Sequence, residues 1–207
     1  MYKGERFNSI THLIGVLLSV AALAVLVVYA SLLGDVWKIV SFSIYGVTLV
    51  SLYLFSTLYH SFSGRAKIFF RKMDFVAIYI LIAGTYTPLT LVVLRGSLWG
   101  WTLFGINWGL ALIGIIIEIM GSAGRLRILP ILIYIGMGWL ILLAIKPLME
   151  VLPLGGFLLL LAGGLLYTGG IFFYAFDEKI KHGHGIWHLF VLAGSVAHFL
   201  AILMYVL

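Results

Sequence analysis

The histidines are the residues of this chain most able to do chemistry, because histidine is the commonest metal-ligating side chain and titrates near neutral pH. There are six of them. Five fall at or near the ends of apolar segments that the charge pattern assigns to one side of a membrane: His12, His60, His182, His184 and His188. The sixth, His198, lies deep within an apolar segment. Histidines that distant parts of a sequence bring to one depth predict a metal site.

The segment His184-Gly-Ile-Trp-His188 holds two of these histidines at i, i+4 spacing. On a helix this spacing puts both rings on one face, about 6 Å apart along the axis, so that both can reach one ion. Ser56 and His60 have the same spacing near the end of an earlier apolar segment, and Asp74 opens the next one. An ionisable residue in a membrane span is costly and marks a candidate functional site.

Each of these signals also has a purely structural interpretation. The histidine pair can be a loop residue followed by an interfacial one, and Asp74 can be an acid favoured by the helix dipole at a helix start. Together they indicate more, since three neutral imidazoles with one open position form the ligand set of a catalytic zinc. A carboxylate and a hydroxyl beside that position would hold a water or take its proton. The chain has no cysteine, which excludes thiolate ligands.

The elements that must position these residues are membrane helices. Hydrophobic residues make up 63% of the chain and charged residues 10%, against about 25% charged in soluble domains. A spanning helix needs about 20 apolar residues, whereas barrel strands are half as long and alternate in polarity. We therefore predict an all-α, multi-pass protein of the plasma membrane, a single domain over residues 1–207. Its seven spans cover residues 10–33, 38–60, 74–94, 98–120, 127–148, 153–176 and 186–207.

The distribution of Lys and Arg predicts the orientation of these spans, because cytoplasmic loops carry the excess of positive charge. One side has ten: Lys3, Arg6, Arg65, Lys67, Arg71, Lys72, Arg125, Arg127, Lys179 and Lys181. The other side has three: Lys38, Arg95 and Lys146. We expect a cytoplasmic N-terminus and an external C-terminus. The basic balance is interpreted as loop charge, and nucleic acid is not expected as a partner.

Glycines recur within the spans, where small residues let helices approach closely. Close packing is the expected role of seven of them: Gly105, Gly109, Gly114, Gly163, Gly164, Gly169 and Gly170.

The motifs taken jointly resemble the progestin and adipoQ receptor (PAQR) family. They are Ser56-x3-His60, Lys72-x-Asp74 with Gly84 and Pro88 beyond it, and His184-x3-His188. The segment from Glu5 to Gly15 resembles the bacterial haemolysin III branch. The resemblance implies seven helices and an intramembrane Zn²⁺ held by three histidines, which map to His60, His184 and His188. It also implies that Asp74 holds the water at the metal, with Ser56 nearby.

The wider superfamily includes alkaline ceramidases, so the resemblance implies hydrolysis of a lipid amide or ester. In this hypothesis Asp74 and Ser56 are the catalytic groups and the partner is a lipid or lipid-like substrate in the bilayer. A second hypothesis is a lipid sensor in which zinc only ties spans two, three and seven together. A third, less favoured, is a hemolysin-type pore-former. The sequence leaves the substrate and the oligomeric state open.

Three further residues have more than one interpretation. His12 is expected to support the site or contact a helix rather than act as a fourth ligand. His198 is about 15 Å from His188 along the helix, too far to share an ion, and is expected to be a buried, hydrogen-bonded histidine. Glu118 fits a substrate contact, a proton-carrying group or an interfacial acid.

Overall fold

The computed structural model describes residues 4–121 and 128–207. Within them lie seven helices long and apolar enough to cross a membrane, and every regular element there is helical. This confirms the predicted seven-helix, all-α membrane fold. The spans, numbered in chain order, are Arg6–Leu33, Val36–Ser61, Gly64–Val93, Leu98–Met120, Ile128–Val151, Leu154–Ala175 and Gly183–Tyr205.

Two spans change their helical form along their length. Span three is an α-helix over Gly64–Pro88 that continues as a π-helical turn over Leu89–Val93. Span five consists of an α-helix over Ile128–Trp139, a 3₁₀ turn over Leu140–Ala144 and an α-helix over Ile145–Val151. These irregular turns keep the chain helical, as lipid requires of backbone groups that have no water to bond.

The start of span three differs from the prediction. The helix begins at Gly64, ten residues before Asp74. Its first turns are rich in Lys and Arg, so hydropathy does not count them as part of the span. Hydropathy marks where a helix enters lipid, not where its hydrogen bonds begin. Asp74 is therefore a buried residue inside the helix, and its interpretation as a helix-start acid is wrong, since the dipole effect fades within the first turn.

The turn between spans one and two consists of a residue typical of a helix end followed by a residue typical of a helix start. Gly34 ends span one in the left-handed conformation, at a φ of 66°. Asp35 then caps span two, where its carboxylate accepts hydrogen bonds from the backbone N–H groups of Trp37 at 2.9 Å and Lys38 at 3.2 Å. Such a cap satisfies backbone donors that a helix start leaves unpaired.

Close helix contacts occur at some of the expected glycines but not at others. A Cβ on Gly114 would lie 2.2 Å from the ring of Tyr79, and one on Gly163 would lie 2.2 Å from His198. A Cβ on Gly105 or Gly109 would meet no atom of the described residues within 4 Å, so the packing role predicted for those two is wrong. Three residues of the charge count lie outside the described residues: Lys3, Arg125 and Arg127.

Candidate metal centre

Three of the predicted ligands come together at one end of the helix bundle. His60 lies in the last turn of span two, and His184 and His188 lie in the first turns of span seven. One ring nitrogen from each histidine lies within 4.8 Å of the other two. His60 and His188 are buried, while the His184 side chain is 22% exposed. The three residues form a group that could hold a metal ion.

Two of these rings donate a hydrogen bond to a carboxylate on the side that faces away from the other histidines. His60 Nδ1 is 2.7 Å from Glu5 Oε2, and His184 Nδ1 is 3.0 Å from Asp177 Oδ2. A carboxylate can only accept, so each Nδ1 carries the proton and donates. In the neutral ring this leaves Nε2 as the unprotonated nitrogen, which is the form that binds a metal.

The third ring is fixed by backbone instead. His188 Nδ1 lies 3.1 Å from the carbonyl oxygen of Asn8 and 3.3 Å from the hydroxyl of Thr11. A carbonyl can only accept, so Nδ1 donates here too. All three rings are thus oriented by a bond on the side away from the group, as is usual for metal-ligating histidines.

The remaining ring nitrogens show that the residues fit a metal. The Nε2 atoms of His60, His184 and His188 are all buried and have no hydrogen-bond partner among the described residues. Zinc bonds histidine nitrogen at about 2.1 Å, so two nitrogens on one ion are at most about 4.2 Å apart. Small rotations of the rings would close the observed separation of up to 4.8 Å.

Glu5 connects this group to a cation. Its second oxygen, Oε1, is 2.7 Å from Lys67 Nζ in the first turns of span three. The hydrogen bond from His60 is the main cause of a strong lowering of the Glu5 pKa; the bond from Lys67 adds to it and partial burial opposes it. Glu5 therefore remains a carboxylate at neutral pH and stays available as an acceptor for His60.

The two proposed catalytic residues are neighbours. Asp74 is 4% exposed and Ser56 is 1% exposed, and the Ser56 hydroxyl faces the Asp74 carboxyl. That hydroxyl makes no hydrogen bond of regular geometry with the described residues. Asp74 is not within the group of mutually close ligand atoms, so its position suits contact through a water rather than direct ligation.

His12 and His182, the other two histidines predicted near this depth, differ in position. The His12 ring stacks on His188, with centroids 3.5 Å apart and planes 15° apart, and both of its nitrogens are buried. It stands beside the group rather than within it, in the supporting position expected from the sequence. His182 is exposed and precedes span seven with a left-handed φ of 63°.

A cavity of about 140 Å³ lies beside this site, within the helix bundle. His12, which stacks on His188, and Asp74 line it, and so does His198; the three grouped histidines are not among its described lining residues. Much of the wall is aliphatic, with Leu52, Ile78, Leu81, Ile82, Ile131 and Ile135 among its residues. Glu118 is not one of the described residues that line it; it is half-buried near Arg71 and Lys72, which favours the interfacial interpretation.

Comparison with known proteins supports the same family as the motifs. The family model described as "Haemolysin-III related" matches residues 1–199. The chain belongs to the haemolysin III family. It is 51% identical to "Hemolysin-3" of Bacillus cereus over 99% of this chain and 93% of that protein. It is 48% identical to the "Hemolysin-3 homolog" of Bacillus subtilis over 98% and 94% of the two chains.

A more distant relative extends the match to animals and to the PAQR group. The chain is 29% identical to the human "Monocyte to macrophage differentiation factor" over 83% of this chain and 72% of that protein. The family relationship confirms the resemblance seen in the motifs and a multi-pass membrane location.

Sequence reasoning missed the residues that hold the rings from behind. Glu5 and Asn8 appear in the sequence only as part of an N-terminal segment that resembles the haemolysin III branch, and no motif includes Asp177. The available signal was the position of Asp177 seven residues before His184. Glu5 is 55 residues from His60, and no periodicity in the sequence relates positions so far apart.

Proposed function

We propose that this chain is a zinc-dependent hydrolase that cleaves an amide or ester bond of a membrane lipid. The observation that carries the proposal is the set of three buried Nε2 atoms, without partners among the described residues, beside an apolar cavity that Asp74 lines. A site with three histidine ligands and one open position is typical of catalytic rather than structural zinc.

The residues present suit zinc among the common metals. The ligands are imidazoles without a thiolate, and each is oriented by a carboxylate or a carbonyl on its far side. Imidazole suits zinc and other late transition metals, whereas magnesium and calcium prefer oxygen. Bound zinc would polarise a carbonyl and bring the pKa of a water in its open position to about 7.

The chain's own residues would then divide the work. Asp74 would hold the attacking water at a carboxylate oxygen and accept its proton, with the Ser56 hydroxyl fixing the carboxyl group. Lipid chains would lie in the aliphatic part of the cavity, which would bring the scissile carbonyl to the histidines. The buried walls would keep bulk water away and strengthen the electrostatic interactions at the reacting atoms.

The test is turnover of a lipid panel by the purified protein. Ceramide, an N-acyl amide and an acyl ester would be supplied in mixed micelles, with and without a chelator. We expect release of fatty acid from at least one lipid, loss of release on chelation and recovery when zinc is added back. Glu118→Gln, which changes an acid outside the cavity lining, should retain the activity. Release that persists without metal would contradict the proposal.

A structural-zinc sensor is the second candidate, and one observation favours it. The bonds that His60 donates to Glu5 and His188 donates to Asn8 join spans two and seven to the start of span one. A metal at the histidines would therefore lock three spans together even without a reaction. Stoichiometric zinc, a fall in melting temperature on chelation and no turnover of any lipid in the panel would favour this function.

A further inference from the structure

The mid-membrane end of the cavity contains a histidine that is separate from the metal centre. His198 lies ten residues beyond His188 in the same helix, which is about 15 Å along the axis. Both His198 and the metal-site neighbours His12 and Asp74 line the one cavity. A molecule that fills the cavity can therefore contact both ends.

The hydrogen bonding of His198 determines which of its nitrogens is free. Nε2 is 3.1 Å from the carbonyl oxygen of Leu160 in span six. That oxygen only accepts, so Nε2 donates, and in the neutral ring Nδ1 is then an acceptor. Nδ1 is buried and has no hydrogen-bond partner among the described residues. A buried acceptor without a partner is unfavourable, which points to a ligand that supplies a donor.

The neighbouring backbone holds the ring in this orientation. A Cβ on Gly163 would lie 2.2 Å from His198 Cδ2 and 2.4 Å from Nε2, so this edge of the ring faces span six. Nδ1 is on the opposite side of the ring, away from Gly163. Only a glycine at residue 163 leaves room for the ring at this place.

The ring nitrogens of His12, near the metal centre, also lack partners among the described residues, but two tyrosine hydroxyls that line the cavity have partners within the protein. The Tyr86 hydroxyl donates to the carbonyl of Gly138 at 2.8 Å. The Tyr167 hydroxyl is 2.7 Å from Ser195 Oγ. His198 Nδ1 therefore differs from these groups at the mid-membrane end of the cavity, because its bonding capacity is unused within the described residues.

We propose that His198 Nδ1 accepts a hydrogen bond from a hydroxyl in the middle of a lipid chain whose polar head lies at the metal centre. The inference rests on the proposed function for the placement of the head. It narrows the ligand class to acyl chains that have a donor about 15 Å from the reacting carbonyl. A plain acyl chain would fill the same space but leave Nδ1 without a partner.

Binding of fatty acids tests the inference without any turnover. Stearate, 12-hydroxystearate and 2-hydroxystearate would compete with a fluorescent fatty acid for the purified protein. We expect 12-hydroxystearate to bind about 5- to 10-fold more tightly than stearate, the effect of one net hydrogen bond. His198→Leu should abolish this preference and leave stearate affinity within about twofold. A structural defect in the variant would instead weaken the binding of all three fatty acids. The hydroxyl of 2-hydroxystearate lies at the polar head, so the affinity of this isomer should not depend on His198.

Two glycines of span six provide a second, matched pair of variants. Gly163→Ala should displace the ring and reduce the preference for 12-hydroxystearate. Gly169→Ala, which lies outside the described cavity lining and whose Cβ would make an ordinary contact with Phe190 at 3.5 Å, should keep it. Equal binding of stearate and 12-hydroxystearate by the wild type would overturn this inference alone. If the wild type bound neither fatty acid, the lipid-binding role that the proposed function gives to the cavity would be wrong as well.

Discussion

The metal centre, which lies next to one end of the cavity (the metal end), and the mid-membrane end of the cavity use the same residue type in different ways. At the metal end His60, His184 and His188 each bond outward through Nδ1 and leave Nε2 toward a shared centre. At the mid-membrane end His198 bonds through Nε2 to the backbone and leaves Nδ1 free. The free nitrogens of the three histidines at the metal end lie close to one another, whereas the free nitrogen of His198 has no other histidine nitrogen of the described residues grouped with it. The proximity of several ring nitrogens, rather than the residue type, distinguishes a metal site from a hydrogen-bonding site.

The supporting residues differ in the same way. Glu5 and Asn8 lie at the start of span one and Asp177 lies between spans six and seven, and each fixes one ring at the metal end. The mid-membrane end depends on Leu160 and Gly163, which are on one helix. A metal site has to hold several rings at once, so it needs support from several elements.

The first prediction concerns which side of the membrane holds the metal end, and its outcome is all or none. From the Lys and Arg bias we expect reporters inserted at Ser63 to be active only inside the cell and those at Asp35 only outside. A fusion after Leu207 should also report outside. An external signal from Ser63 would invert the orientation of both ends of the cavity.

The largest quantitative effect is expected when a ring of the metal end is removed. His188→Ala should lower bound zinc from about one per chain to nearly none, because two imidazoles and water bind zinc far more weakly than three. His198→Ala is the matched control from the other end of the cavity and should keep its zinc. Elemental analysis of purified protein measures both. Equal loss from both variants would indicate misfolding and remove the distinction between the ends.

Asp74→Asn should separate binding from chemistry at the metal end. Asparagine keeps the shape of the side chain but cannot take a proton, and loss of a general base costs on the order of 100- to 10,000-fold in rate. Zinc content at saturating metal should stay near one per chain, since Asp74 is not one of the grouped ligands. Full turnover by Asp74→Asn would show that the carboxylate has no catalytic role.

Removal of the outer hydrogen bonds should have a smaller effect on the metal. Glu5→Gln and Asp177→Asn leave the three imidazoles in place but weaken their orientation, which typically costs about 10- to 100-fold in metal affinity. Competition with a chelator of known affinity measures the change. Glu178→Gln is the control, as it alters the exposed acid next to Asp177. Unchanged affinity in both Glu5→Gln and Asp177→Asn would show that the rings need no such support.

The smallest effect is expected from the packing behind the metal end. A Cβ on Gly15 would lie 2.3 Å from the ring of Tyr53, which itself packs edge-on against His12. Gly15→Ala should lower the free energy of unfolding by about 1–3 kcal/mol through overpacking. Gly105→Ala, where the space is open, should raise it by up to about 1 kcal/mol through helix propensity. Thermal unfolding in detergent would compare them, and equal effects would contradict the packing argument.

The helix starts show where sequence patterns succeed and fail. Lipid restricts a spanning backbone to helices and closed barrels, and barrel strands are about half as long as these apolar segments. The apolar segments are therefore enough to predict seven helical spans. The same patterns place the start of span three at residue 74, whereas the helix begins at Gly64. Arg65, Lys67, Arg71 and Lys72 interrupt the hydropathy but not the hydrogen bonds. The start of a helix is set by its backbone hydrogen bonds, and a hydropathy scale, which reports side-chain polarity, does not detect it.

The candidate site divides along a similar line. His184 and His188 are close because the helix repeat requires it, and this follows from the sequence alone, as does the absence of thiolate ligands. The approach of His60, in span two, to this pair depends on the tertiary structure. Which ring nitrogen is free does not follow, because it depends on the positions of Glu5, Asn8 and Asp177 in space.

The sequence by itself determined that this protein crosses a membrane seven times and has histidines near a common depth, because hydropathy and helical spacing are local properties. Only the tertiary structure decided that His12 stacks beside the group, that His182 is exposed, and that His198 shares a cavity with Asp74. Those facts depend on how helices far apart in the chain rotate and pack against each other. Rotation is set by many contacts at once, so no single segment of sequence contains it.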